Sequence, residues 1–116
     1  MQQGNHRDLI VWQKAMKLVI LIYRLTQKFP KEETYGLSSQ MRRAAVSIPS
    51  NIAEGRRRNS ENDYKHFLDI AFGSGAELET QLEIAKQLEY GGAKDIELVF
   101  EILTEVMRML NKMTVR

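Results

Sequence analysis

The chain contains no cysteine, which excludes disulfide bonds and thiolate metal sites and fits a reducing, cytoplasmic location. Its only histidines are His6 and His66, so the paired Glu-x-x-His motifs that hold two metal ions in helical bundles are missing. Ser47 and Ser50 have no histidine on the same segment to activate them as nucleophiles. We therefore expect a protein that is not an enzyme and that uses no metal, cofactor or catalytic residue.

Long apolar runs are also missing. The longest, Leu18 to Tyr23, falls far short of the roughly 20 residues needed to cross a bilayer, so no membrane association is expected. The first residues, MQQGNHRD, lack the apolar core of a signal peptide. A hydrophobic content of 43% is ordinary for a globular chain. The 116 residues are predicted to form one domain, 1–116, with a polar leader over 1–7.

Apolar residues recur with helical spacing in four stretches, and no stretch alternates with the period of a strand. The predicted helices run from Asp8, as N-cap, to Lys28, from Leu37 to Gly55, from Asn59 or Ser60 to Gly91-Gly92, and from Ala93 to Met113. Asp63 stands where the acidic member of a capping box would lie. Because the connectors are short, the pattern predicts an all-α, antiparallel, up-and-down four-helix bundle.

The apolar surface of the first and fourth helices is too wide for one partner face. Residues 18–22 are consecutively apolar, and the apolar arc of the fourth helix spans about 200°, whereas a surface helix needs about 100°. The excess is either an exposed patch that promotes aggregation or a subunit interface. We expect a homo-oligomer. The predicted interface residues are Leu18, Ile20, Leu21, Ile22, Leu98, Ile102 and Met109.

The segment from Ser39 to Arg58 is the predicted site. It combines small apolar residues, arginine pairs near both ends, and an interior proline, which costs a helix about 3 kcal/mol. Residues 37–58 carry five Lys or Arg against one Asp or Glu, whereas residues 59–90 carry two against seven. These opposite charges either neutralise each other by packing or form two poles on the surface.

Guanidinium groups suit phosphate recognition because they combine charge with paired donors. The predicted nucleic-acid-binding residues are Arg42, Arg43, Arg56, Arg57, Arg58 and Lys65. With only Tyr64 and Phe67 nearby, binding would be directed at the backbone rather than the bases. The alternative is that these cations pair with Glu54, Glu61 and Asp63, or dock a protein partner.

A second group of residues in the same segment is predicted to be structural. Its members are Ser47, Pro49, Asn51, Glu54 and Gly55. Pro49 leaves the carbonyl of Ala45 without its usual donor, and neighbouring hydroxyl or amide groups are placed to bond to the backbone there. The favoured interpretation is a kink that allows close helix packing, with Glu54 in a salt bridge.

Three segments carry a family resemblance: DLIVWQKAM, FPKEETYGLSSQMRRAAVSIPSNIAEGRRR and FLDIAFGSGAELETQLEIA. They resemble the 23S rRNA-intervening sequence proteins, with SIPSNIAEG as the signature, and more distantly the accessory variability determinants of diversity-generating retroelements. The resemblance implies a four-helix protomer, a ring-shaped homopentamer and a role in binding nucleic acid. For the retroelement relatives it also implies a reverse transcriptase partner.

These observations favour a homo-oligomeric accessory protein that binds RNA or DNA through a basic surface. The alternative is a protein-interaction scaffold that docks a partner protein without nucleic acid.

Overall fold

A computed structural model describes residues 4–114, which form four α-helices and no strand. The helices are α1 (Ile10–Thr26), α2 (Leu37–Arg56), α3 (Glu61–Gln87) and α4 (Ala93–Thr114), with short 3-10 turns at His6–Asp8 and Lys31–Glu33. The bundle is elongated, with extents of 48 × 24 × 23 Å. The predicted all-α, four-helix architecture is confirmed.

Each helix packs against two others, so that α1 and α3 occupy diagonal positions in the bundle. Lys14, near the start of α1, pairs with Glu105 in the second half of α4 at 2.5 Å, whereas Lys28, just after α1, pairs with Asp95 near the start of α4. This order of contacts means that α1 and α4 run in opposite directions. The hydrogen bond from Lys14 holds the pKa of Glu105 below its ordinary value of 4.5.

The core corrects part of the predicted subunit interface. Leu18, Ile22 and Ile102 are buried among the four helices of the protomer itself, with at most 7% of their surface exposed. Their assignment to a subunit interface is therefore wrong. Leu18 and Ile22 are four positions apart on α1 and so face the same side, which is the side that α2 and α4 cover.

Other predicted interface residues do reach the surface of the protomer. Ile20 is 47% exposed and Leu98 is 43% exposed, while Leu21 and Met109 are half-buried. Leu21 and Leu98 line one groove between α1 and α4. The prediction of a subunit interface therefore remains only for the outer side of α1 and the adjoining edge of α4.

Residues 1–3 of the predicted polar leader lie outside the described residues, and the described part, residues 4–7, is more ordered than its composition indicates. Asp8 is the expected cap of α1, but it belongs to the 3-10 turn, and α1 begins two residues later. The Asn5 side chain caps that turn by accepting a hydrogen bond from the backbone N–H of Arg7 at 2.9 Å. Gln13 then donates to the carbonyl of Arg7 at 2.8 Å. These local bonds fold residues 5–8 against the start of α1.

The start of α3 follows the predicted capping pattern. Ser60 is the N-cap residue, and its hydroxyl accepts the backbone N–H of Asp63 at 3.0 Å. Asp63 also places a negative charge in the first turn, where the helix dipole favours it.

The end of α3 differs from the prediction. The helix stops at Gln87, before the Gly91-Gly92 pair, in a Schellman motif: the N–H of Tyr90 donates to the carbonyl of Ala85 at 2.9 Å, and that of Glu89 to Lys86 at 3.0 Å. The motif requires a residue with a left-handed backbone conformation, and here that residue is Glu89, whose φ is 60°. Sequence reasoning favours the glycine pair because glycine is the residue that usually occupies this position.

Replacing Glu89 by glycine should stabilise the protein. The left-handed conformation is strained for glutamate and not for glycine, so Glu89→Gly should raise the free energy of unfolding in urea by about 0.5–1 kcal/mol. Gly92→Ala is the matched control: φ is 89° and an added Cβ meets no atom within 4 Å, so strain alone should lower stability by about 1 kcal/mol. A loss of stability in Glu89→Gly would contradict this account of the helix end.

Candidate nucleic-acid interface

The arginines of α2 come as consecutive residues, and neighbours in a helix point about 100° apart. Arg42 lies on the α1 side. Its Nε donates to the hydroxyl of Thr26 at 2.8 Å, an Nη donates to the carbonyl of Tyr23 at 3.4 Å, and its guanidinium lies 4.5 Å from the centre of the Tyr23 ring. Arg42 therefore places its charge at the C-terminal end of α1, where the helix dipole favours a cation.

Arg56 has the equivalent role at the other end of α2. Its Nε donates to the carbonyl of Gly4 at 2.9 Å, and an Nη donates to the hydroxyl of Tyr64 at 3.3 Å. The leader and α3 are thus joined through one guanidinium group. The sequence predicts that Arg42 and Arg56 bind nucleic acid, and the structure places both in contacts that hold the protomer together.

Arg43 and Arg57 lie on the solvent-exposed side of α2, and Arg57 is the C-cap residue of that helix. Both are exposed, and neither side chain forms a hydrogen bond or ion pair with another residue in the described range 4–114. They are fourteen positions apart, which is close to four helical turns, so they lie on the same side of α2, about 21 Å apart along its axis. All the N–H donors of these two guanidinium groups are therefore available to bind a ligand.

The other predicted cations lie near the junction of α2 and α3. Arg58 forms a 2.6 Å ion pair with Glu54 and lies 4.8 Å from the centre of the Phe67 ring. Glu54 is thus a salt-bridge member, as predicted. Lys65 is half-buried in the second turn of α3. The six predicted residues therefore fall into three pairs. Arg42 and Arg56 are anchors, bonded to neighbouring elements of the protomer; Arg43 and Arg57 are exposed; and Arg58 and Lys65 lie at the helix junction.

The signature residues support the packing of α2 against α3. The hydroxyls of Ser47 and Ser74 form a 2.8 Å hydrogen bond across the two helices. The side-chain amide of Asn51 donates to the carbonyl of Ser47 at 2.8 Å and to its hydroxyl at 2.9 Å. Pro49 is buried, and α2 continues through it to Arg56. The sequence predicts side-chain bonding to the backbone near the proline, and Asn51 provides it.

Gly55 marks a close approach between α2 and α3. An added Cβ would lie 2.9 Å from the Cβ of Phe67 and 3.2 Å from the backbone oxygen of Tyr64. Contacts this short leave no room for any side chain. Because the approach brings the backbone of α2 itself against α3, it fixes how α2 is rotated in the bundle.

Sequence reasoning missed the aromatic residues on the α1 side of α2. Tyr23 and Tyr35 line the same cleft as Arg42 and Arg43. Tyr35 lies in the turn before α2, and 96% of its surface is exposed. Its position in the polar connector KEETYG was the sequence signal that this ring is exposed. The cleft itself could not be predicted, because only the fold brings the end of α1 and the start of α2 together.

Among residues 4–114, the structure contains no group of three or more histidine, aspartate or glutamate side chains placed to hold a metal ion. None of the helices in that range combines the length and apolar character needed to span a membrane.

The fold and the exposed arginines define the class as a small all-helical bundle with a basic side on its second helix. The chain belongs to the family of 23S rRNA-intervening sequence proteins, whose sequence pattern matches residues 7–112. No curated protein sequence matches it.

A solved structure has the same fold. It is the 1.70 Å crystal structure of a protein with unknown function from the S23 ribosomal protein family of Bacteroides thetaiotaomicron, with a TM-score of 0.83. The two sequences are 24% identical, and the alignment covers 92% of this chain and 100% of that one. The match supports the four-helix fold over almost the whole chain.

The anchored and exposed arginines should differ in their effect on stability. Arg42→Met removes a charge-assisted hydrogen bond and leaves Thr26 with one partner fewer, so it should lower the free energy of unfolding by about 1–3 kcal/mol. Arg43→Met, the adjacent control, should change it by less than about 0.5 kcal/mol. Equal effects in urea unfolding would show that the two arginines are not separated in this way.

Proposed function

We propose that this protein is a non-enzymatic, self-associating bundle that binds the phosphate backbone of nucleic acid through the exposed arginines of α2. The observation that carries the proposal is the pair Arg43 and Arg57, exposed on one side of α2 and without a side-chain partner in the described protomer. Unpaired guanidinium groups are well suited to phosphate because they offer charge and a rigid set of donors.

The two arginines are too far apart to share one phosphate. Their separation of about 21 Å is several times the advance of about 3.4 Å per phosphate along one strand of a duplex, so they would contact separate phosphates. Arg58 and Lys65 extend the basic surface toward α3. The description of the family refers to 23S rRNA, which makes RNA the first nucleic acid to test.

Exposed apolar residues on two separate sides of the bundle support self-association. Ile20 on α1 and Leu98 on α4 are 47% and 43% exposed, whereas Ile84 and Leu88 at the end of α3 are 44% and 52% exposed. We call the first pair the α1 face and the second pair the α3 face. Because the two faces differ, their contact is heterologous, and such contacts close into a ring when the rotation between copies permits it.

Charge also favours pairing these two faces. The α1 face lies beside the exposed cations Lys17 and Arg24, whereas Glu77 lies on the same helix as the α3 face, seven residues before Ile84. α1 and α3 are diagonal in the bundle, so a contact between their outer sides leaves α2 uncovered, and in a closed ring symmetry gives α2 of every copy an equivalent position. A ring, of five copies as the resemblance implies, would thus gather the exposed arginines and add their weak contacts.

Binding should depend on the exposed arginines. Arg43→Ala with Arg57→Ala should weaken binding to RNA and reduce the slope of log affinity against log salt by about 1.4 for a single strand or about 1.8 for a duplex. Lys94→Ala with Lys112→Ala removes the same charge from α4 and should leave the slope nearly unchanged.

Fluorescence anisotropy at several salt concentrations measures both quantities. Undetectable binding by the unmodified protein at low salt would reject the nucleic-acid proposal. It would favour the alternative of a scaffold that docks a partner protein. Unchanged affinity in the Arg43 and Arg57 double variant would place binding elsewhere on the surface.

Mixing two variants tests the heterologous contact. Ile20→Asp with Leu98→Asp should disable the α1 face, and Ile84→Asp with Leu88→Asp should disable the α3 face. Each variant alone should sediment as a monomer, and an equimolar mixture should give a dimer through the two intact faces. A monomeric unmodified protein at micromolar concentration, or a mixture that stays monomeric, would contradict the proposed assembly.

A further inference from the structure

The cleft between the end of α1 and the start of α2 combines features of a nucleotide site. Its volume is about 540 Å³, and it is lined by Tyr23, Tyr35, Ser39, Arg42, Arg43 and Ser47, among others. Aromatic rings, a guanidinium without a partner and hydroxyl groups thus occur in one concave surface. Of the residues that line the cleft, only Arg43 has a role in the proposed binding of the phosphate backbone.

Tyr35 contributes almost nothing to the packing of its own protomer. With 96% of its surface exposed, both faces of its ring are open to solvent, which is unusual for a large aromatic side chain. A ring in this position is available to stack on another planar group. Base stacking on aromatic side chains is the common way in which proteins hold single-stranded nucleic acids.

The turn that carries Tyr35 is held on both sides. The Glu33 carboxylate accepts the backbone N–H of Leu37 at 3.1 Å and the hydroxyl of Tyr90 at 3.2 Å. The Glu33 carbonyl accepts the N–H of Gly36 at 3.0 Å. Tyr35 is therefore presented from an ordered turn that is tied to both the start of α2 and the connection between α3 and α4.

The two arginines of the cleft have different roles. Arg42 lies against the Tyr23 ring and is bonded to Thr26, so it forms a fixed wall. The Arg43 side chain has no partner in the described protomer and is available for a phosphate. From this arrangement we infer that the cleft binds an unstacked base of a single-stranded nucleic acid, with the base on Tyr35 and the adjacent phosphate on Arg43.

The inference rests on the proposed function and makes it more specific. A duplex keeps the faces of its bases inside the stack, so it can use Arg43 and Arg57 but not Tyr35. A single strand can use all three. The cleft therefore gives the protein a preference for unpaired segments, such as loops and ends, which the arginines alone do not provide.

The test compares two DNA strands of equal length and equal phosphate number, one of oligothymidine and one of abasic sites. Fluorescence anisotropy gives the affinity of the full-length protein for each. The unmodified protein should bind oligothymidine about five- to 150-fold more tightly than the abasic strand. Tyr35→Ala should abolish that ratio, Tyr35→Phe should retain it, and Arg43→Ala should weaken both strands alike.

The possible results distinguish base binding in the cleft from binding of the phosphate backbone. Equal binding of both strands by the unmodified protein, or a ratio that survives Tyr35→Ala, overturns the base-binding cleft and leaves backbone binding intact. Failure of both strands, and of a single-stranded RNA of the same length, to bind at low salt overturns both. Because Tyr35 is exposed, its variants should unfold at the temperature of the unmodified protein, which a thermal scan by circular dichroism checks.

Discussion

The rotation of α2 about its own axis is the constraint on which the rest of the structure depends. Gly55 sets it by allowing the backbone of α2 to approach Phe67 and Tyr64 on α3 more closely than any side chain permits. The buried residues Ile48 and Ile52 follow from the same rotation, since they face the interior on neighbouring turns. With this face fixed, the direction of every other side chain on α2 is determined.

That rotation divides the arginines into two pairs with different contacts. Arg42 and Arg56 turn toward α1, the leader and α3, where they bond to neutral oxygen atoms of the protomer. Arg43 and Arg57, one position further along, turn outward without side-chain partners in the described residues. The anchors order the surface from which the exposed pair projects, and the proposed ring would bring copies of that surface to one side.

The sequence alone predicts the helices better than it predicts the surface. Local chemistry determines the start of α3 at Ser60 and the salt bridge of Glu54, so both predictions are confirmed. The roles of Arg42 and the exposure of Tyr35 depend on which helices meet, and residue spacing carries no such information. The burial of Leu18 was missed for the same reason, because a continuous apolar run does not indicate which of its sides faces the core.

Hydrogen exchange at the arginine side chains is the most direct test of this account. Nitrogen-15 NMR can follow the Nε–H groups of α2 individually. The Nε–H groups of Arg42 and Arg56 should exchange slowly and stay unshifted when an oligonucleotide is added, because they are bonded within the protomer. Those of Arg43 and Arg57 should exchange fast and shift on binding. Equal exchange rates for all four would contradict the proposed division.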